Sequence, residues 1–463
     1  MNSIDGQKEI VLSETQSVCP ECLQRIPAKR VAQGDRVFLQ KCCPEHGEYR
    51  VCVWQGEPDY HNWNNSQTNA LPVTDLTPGS SGCPFDCGLC PEHRQQTCCV
   101  LLEVTSKCNL SCPVCFAASS PDGRAEPDLA VIEGWYRMLM NNGGPYNIQL
   151  SGGEPTVRDD LPEIIALGKK LGFDFFQVNT NGLRLATDDR YVAKLKAAGL
   201  NCVFLQFDGM SDRVYTQLRG RPLLTIKKQV IEVCAAHGIG VVLVPTLVPG
   251  VNDGQIGDIL QFAISKMPVV RGVHFQPVSY FGRCPEDPQD ADRMTIPLII
   301  REIEKQSGGQ MKIGHFWPPG GEHAYCSFHG NFVLMPDGNL KPLSQEKNNT
   351  GCCQTRATHG SKQARQFVAR QWSAARRTEI SNKEQRKSEK GAGDLTSLDE
   401  FLERVNTYTL AVSGMAFQDA WTLDLDRLKQ CFIHVVGPDN RLIPFCAYNL
   451  TDRQGRALYR GKP

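Results

Sequence analysis

From residue 100 onward the chain alternates short apolar runs with amphipathic stretches, and this alternation restricts the fold more than any other feature. The runs are VLLEV (100–104), YNIQL (146–150), FDFFQV (173–178), CVFLQF (202–207), GVVLVPTLV (240–248) and GVHFQPV (272–278). Each has the length of a single strand. Helix-like segments such as LPEIIALGKKLG (161–172) and YVAKLKAAGL (191–200) lie between them. Strands separated by helices pair in parallel through right-handed crossovers. Near-continuous apolar strands fit a sheet covered on both faces. Six such units predict an α/β fold, a partial (β/α)6 TIM-like barrel, with a doubly wound sheet as the alternative. Either one gathers ligands at the C-terminal ends of its strands.

Cysteine is the second constraint. The chain has 463 residues and 21 cysteines, most of them in short clusters. The N-terminus, MNSIDGQKEIVLSE, lacks the apolar core of a signal peptide. No run approaches the roughly 18 apolar residues of a membrane span. The expected location is therefore cytoplasmic, where clustered cysteines read as metal ligands rather than disulfides. Fifty basic and fifty acidic residues cancel, so charge gives no case for a nucleic-acid partner.

The expected organisation has four parts. Residues 1–60 form a small Cys-rich metal domain, and 61–99 a linker with an auxiliary cysteine cluster. The barrel core covers 100–310. An α+β C-terminal extension covers 311–463, with a basic linker at 355–395. Between 356 and 390 ten Lys or Arg stand against three Glu, net +7. A solvated linker or surface helix is the plain reading; a dock for anionic lipid headgroups, with peripheral attachment to a membrane, is the sharper one.

CNLSCPVC (108–115) carries Cys108, Cys112 and Cys115 at spacing C-x3-C-x2-C. The triple follows the first strand, where a barrel keeps its chemistry. Three thiolates hold three irons of a [4Fe–4S] cube and leave the fourth iron open. The alternative is a zinc knuckle completed by a distant residue. The second strand ends in QLSGGEPT, with Ser151, Gly152, Gly153 and Glu154. Two glycines permit close approach to the backbone, and Glu154 offers a carboxylate to an ammonium. A Gly-Gly turn before a helix explains the pair equally well.

Together the two motifs resemble the radical S-adenosylmethionine (SAM) superfamily. The resemblance implies that Cys108, Cys112 and Cys115 hold a [4Fe–4S] cluster. It also implies that Gly152, Gly153 and Glu154 contact SAM, whose amine and carboxylate chelate the open iron. One electron then splits SAM to a 5′-deoxyadenosyl radical, which abstracts hydrogen from an unactivated C–H bond. A reductant such as flavodoxin or ferredoxin is implied. Val114 stands where many members carry an aromatic residue, and Phe116 is the expected shield instead. Across nearly its whole length the chain is similar to the tetraether lipid synthase-like branch, through CPEC…CPEHG, GCPFDCGLCPEH, EVTSKCNLSCPVCFA, LSGGEPT, NTNG and RLIPFCAYN. That likeness implies a rubredoxin-like metal site, additional clusters and coupling of lipid chain ends. A peptide-modifying maturase and an inert metal-binding scaffold are the competing readings.

The remaining candidates are weaker. Cys83, Cys87 and Cys90 repeat the C-x3-C-x2-C spacing and read as an auxiliary Fe–S cluster, with Cys98, Cys99 or Cys326 as fourth ligand, or as a zinc site. Cys19 and Cys22 with Cys42, Cys43 and His46 read as a zinc ribbon. A four-thiolate mononuclear iron site using Cys52 is the rival. Cys431 and Cys446 complete a further cluster or are plain buried thiols. Cys202 and Cys234 read as core residues; Cys284, Cys352 and Cys353 are unassigned. Asn179, Thr180 and Asn181 read as SAM contacts or as an Asn-Gly turn. Asp208 is a contact to SAM or substrate, or a helix cap. His274 and Gln276 share one face of the sixth strand and become substrate-side candidates if that face is the barrel interior.

Overall fold

The computed structural model describes residues 8–63, 81–284, 288–343, 357–375, 398–437 and 439–461. Cys352, Cys353, most of the 61–82 linker and residues 376–395 of the basic stretch fall outside them.

The N-terminal unit is a four-stranded antiparallel sheet: β1 (Ile10–Val18), β2 (Arg25–Gln33), β3 (Arg36–Cys43) and β4 (Gly47–Gln55). Its two tight turns present the metal-type residues. It leans on the larger body through Trp54, whose ring meets Tyr60, Trp63 and Tyr325 at 5.8, 5.9 and 5.3 Å. Arg30 grips Asp424 through Nε and Nη2 at 2.7 and 2.8 Å.

The barrel core follows the alternation read from the sequence. β5 (Cys99–Thr105), β6 (Asn147–Gly152), β7 (Phe176–Thr180), β8 (Cys202–Gln206), β9 (Gly240–Val244) and β11 (Val270–Pro277) run parallel in that order, with β10 (Thr246–Leu247) extending the pairing with β11. Helices cover the outside, among them Leu129–Asn141, Leu161–Lys170, Asp189–Ala198 and Leu224–Ala236. Alternation along each strand separates two environments. Ile148, Leu150, Val178, Val203, Leu205 and Val241 turn outward into the helix-covered core and are fully buried. Asn147, Gln149, Gln177, Asn179, Phe204 and His274 turn inward.

The C-terminal extension is built into the same sheet on both edges. β14 (Thr409–Met415) joins parallel to β11 and carries β12 (Ser327–Leu334) and β13 (Leu340–Pro342) beyond it. At the other edge β15 (Ile433–Val436) joins parallel to β5, followed by β16 (Leu442–Pro444). Main-chain pairing therefore closes over both flanks that a six-strand barrel leaves exposed.

Of the two plain readings of the basic stretch, solvated linker or surface helix, its described part takes the second. The basic stretch is not a linker throughout: residues Ala357–Trp372 form a helix laid across the N-terminal mouth of the barrel. Val368, Ala369 and Trp372 pack on Phe175, Cys202, Phe204, Val242 and Val244. Three apolar residues at helical spacing outweigh the basic composition.

Candidate functional site

The three cysteines of the C-x3-C-x2-C loop line one end of a cavity of about 300 Å³ that fills the barrel. The loop is fixed by main chain. Gly153 N–H donates to Thr105 O and Glu154 N–H to Lys107 O, each at 2.8 Å. A Cβ on Gly152 would lie 2.0 Å from Thr105 O, and one on Gly153 2.1 Å from Lys107 O. The two glycines are thus required where β6 presses on the chain leaving β5. Both glycines also line the cavity, so this close packing stands beside the expected room for a ligand. Burial pushes the Cys108 thiol up to about 12, so a thiolate there needs a cation beside it.

Glu154 lines the cavity as well, and its carboxylate is already engaged by the protein. Its Oε1 accepts from Thr156 N–H, Thr156 Oγ1 and Thr180 Oγ1 at 3.1, 2.5 and 2.6 Å, and Oε2 from Asn181 N–H at 2.7 Å. The carboxylate, 2% exposed, uses four acceptor positions to tie the ends of β6 and β7 together. Burial raises its pKa against these four donors. Asn181 Nδ2 in turn donates to Asn109 Oδ1 of the cysteine loop at 2.7 Å.

Asp208 is fully buried in a bidentate pair with Arg219, both contacts at 2.7 Å, and accepts Thr246 N–H at 3.1 Å. It neither lines the cavity nor caps a helix. The group it holds, Arg219, does line the cavity, and its Nη1 reaches Val114 O in the cysteine loop at 3.2 Å. Sequence reasoning missed Arg219, because its importance comes from a partner eleven residues away. Beside it Lys227, fully buried and lowered to about 8 by burial, donates to Asn181 O at 2.6 Å. Asn179 lines the cavity with its Oδ1 buried and without a partner. His274 and Gln276 face inward as expected. Phe116 lines the cavity next to Cys115, its ring 5.9 Å from Phe445.

The other cysteines divide into groups. Cys19, Cys22, Cys43 and His46 place their ligand atoms within 4.8 Å of one another. Cys42 is exposed, and Cys52 instead directs its thiol to Trp54 O at 3.3 Å. The rubredoxin-like alternative with Cys52 is therefore corrected; three thiols and an imidazole form a zinc-type donor set. Cys83, Cys87 and Cys90 are buried together, and the nearby Cys83 holds the Cys87 thiol well above its ordinary value. The structure sets Cys98 apart from that triple: its charged neighbours are Cys99, Glu322 and Arg365, and it lines the cavity near the closing helix. Cys326, Cys431 and Cys446 converge instead with Arg427, whose buried Nε has no partner. Cys202 and Cys234 are core residues as read.

Residues 102–263 match the radical SAM superfamily, and residues 11–55 match the HMPTM N-terminal zinc ribbon domain. The 7,8-dihydro-6-hydroxymethylpterin dimethyltransferase of Methanocaldococcus jannaschii is 35% identical over 495 aligned residues, covering 95% of this chain and 94% of its own. A probable GTP 3',8-cyclase of Methanothermobacter thermautotrophicus is 27% identical, covering 56% of this chain and 87% of its own. Among solved structures, Streptococcus suis SuiB bound to S-adenosylmethionine is similar over 46% of this chain and 47% of its own, at 16% identity and a TM-score of 0.38. The first of these relatives, similar over 95% of this chain, is named for a pterin.

Proposed function

Because the chain belongs to the radical SAM superfamily, and is an enzyme whose cofactors are a [4Fe–4S] cluster and SAM, we propose that it activates a C–H bond in order to alkylate a reduced pterin or a heterocycle of that class. Cys108, Cys112 and Cys115 are the cluster ligands in this reading. When bound, the cluster and SAM supply a 5′-deoxyadenosyl radical. The protein's part is placement. Asn179, with its orphaned carbonyl, and Arg219 are the polar groups offered to SAM. Gly152 and Gly153 hold the loop by main chain, and Glu154 and Asp208 act behind them as positioning residues.

The observation that carries the substrate class is the set of amides that the barrel strands turn inward. Gln149, Gln177 and Gln276 all line the cavity, and Gln177 Nε2 donates to Gln149 Oε1 at 2.6 Å. Such amides match the alternating donors and acceptors of a pterin edge. A lipid chain offers no hydrogen-bonding partner to an amide-lined wall. The name of the relative similar over 95% of this chain supports the same class. In this reading Cys83, Cys87 and Cys90, and separately Cys326, Cys431 and Cys446, hold further Fe–S clusters. A flavodoxin- or ferredoxin-type donor supplies the electron. Among the described residues no helix is long and apolar enough to cross a membrane.

Anaerobically reconstituted protein, given SAM, a low-potential reductant and 7,8-dihydro-6-hydroxymethylpterin, is expected to form 5′-deoxyadenosine from one SAM and to add to the pterin the methyl of a second, which leaves S-adenosylhomocysteine, the reductant supplying one electron to each step. Cys112→Ala should do neither. Formation of 5′-deoxyadenosine with every tested pterin unchanged, but a lipid extract modified, would overturn the substrate assignment.

A further inference from the structure

The cavity has two ends of different chemistry. The upper end is the cysteine loop with Asn179, Asn181 and Arg219. The lower end is closed by the helix Ala357–Trp372, which comes from the C-terminal extension. Trp372, Phe204 and His274 meet there, with ring centroids 5.1 Å apart for Phe204–Trp372, 5.5 Å for Phe204–His274 and 6.3 Å for His274–Trp372. All three line the cavity. His274 Nδ1 pairs with Ser413 Oγ at 2.9 Å, which leaves Nε2 as the other hydrogen-bonding edge of the ring.

The helix does not need the Trp372 ring to stay in place. Arg271 Nε donates to Gln371 O at 2.9 Å, and Gln371 Nε2 to Thr409 O at 2.8 Å. Asn147 Nδ2 donates to Arg365 O at 3.1 Å, and Arg365 Nη1 to Pro145 O at 2.8 Å. Gly240 accommodates the close passage of the chain, since a Cβ there would lie 2.2 Å from Trp372 O. The helix is thus anchored by polar contacts along its length, and its terminal indole is left facing the cavity. Burial lowers His274 to about 4, so the imidazole is neutral near pH 7 and presents one donor and one acceptor.

We propose that this lower end is the substrate subsite, with Trp372 and Phe204 stacking on a flat heteroaromatic ring and His274 hydrogen-bonding its edge. The proposal rests on the functional reading above and deepens it. It makes the closing helix a specificity element that sets how far below the cluster the ring sits. Aromatic faces suit any flat heterocycle, and the neutral imidazole with Gln149 and Gln177 selects among them by donor and acceptor pattern.

The test is equilibrium binding of 7,8-dihydro-6-hydroxymethylpterin to the reconstituted holoprotein under anaerobic conditions. Trp372→Leu keeps the apolar cover and removes the indole. It should weaken pterin binding about tenfold or more, the scale of one lost stacking contact, while iron content and SAM affinity stay at wild-type levels. Trp372→Phe should restore most of the loss. Equal pterin affinity in wild type and Trp372→Leu overturns the subsite and leaves the pterin assignment standing. If the wild-type protein binds no pterin, the substrate reading falls and the subsite falls with it. If Trp372→Leu loses SAM binding in parallel, the indole is structural and the proposal is overturned.

Discussion

At the scale of single residues, the site is governed by groups that hold other groups. Asp208 touches no cavity surface, yet both its oxygens fix the guanidinium of Arg219, which faces the cysteine loop. Removing one partner of a buried pair strands the other charge, at a cost of about 3–5 kcal/mol. Asp208→Asn is therefore expected to lower the unfolding free energy on that scale and to weaken SAM binding. A variant with wild-type denaturant midpoint and SAM affinity would sink this role. Glu154 follows the same logic, with four donors converging on a carboxylate that sequence alone assigned to the cofactor. The motif marks the right place in the chain, but hydrogen-bond partners far apart in sequence decide what the side chain does there.

Among the elements, the β5–β6 contact does the most to shape the cysteine loop. Gly153 lies so close to Lys107 that a methyl group must displace the loop or the strand. Overpacking of this kind costs about 1–3 kcal/mol. Gly153→Ala should lower iron incorporation per chain, measured by iron and sulfide analysis after reconstitution, with little change in helix content. Full cluster loading would show that the close approach is dispensable. The closing helix shows where composition misleads. Its basic residues suggest solvated chain, while Val368, Ala369 and Trp372 on one helical face bury the barrel mouth. Deleting it would uncover Phe204 and Val242, so it is not a neutral spacer.

At the scale of the whole molecule, a small metal ribbon is clamped to a large barrel by Trp54 and by Arg30–Asp424. Structural zinc supplies the folding energy of such ribbons. Cys43→Ser should therefore release residues 8–55 to limited proteolysis while the barrel remains resistant; a ribbon that stays protected without bound metal would contradict this. The sequence by itself determined the six parallel units, the place of the cysteine loop and the zinc-type spacing, because strand periodicity and ligand spacing are local. It singled out Asn179 and Gln276 but did not show the amide-lined interior they share with Gln149 and Gln177, since a strand's inward row is defined only once its outward row is buried under helices. Only the tertiary structure decided that both flanks of the barrel are completed by strands from the C-terminal region, that Arg219 joins the site, and that a basic helix floors it. Each of these depends on contacts between residues eleven to several hundred positions apart, and such contacts leave no periodic trace in the chain.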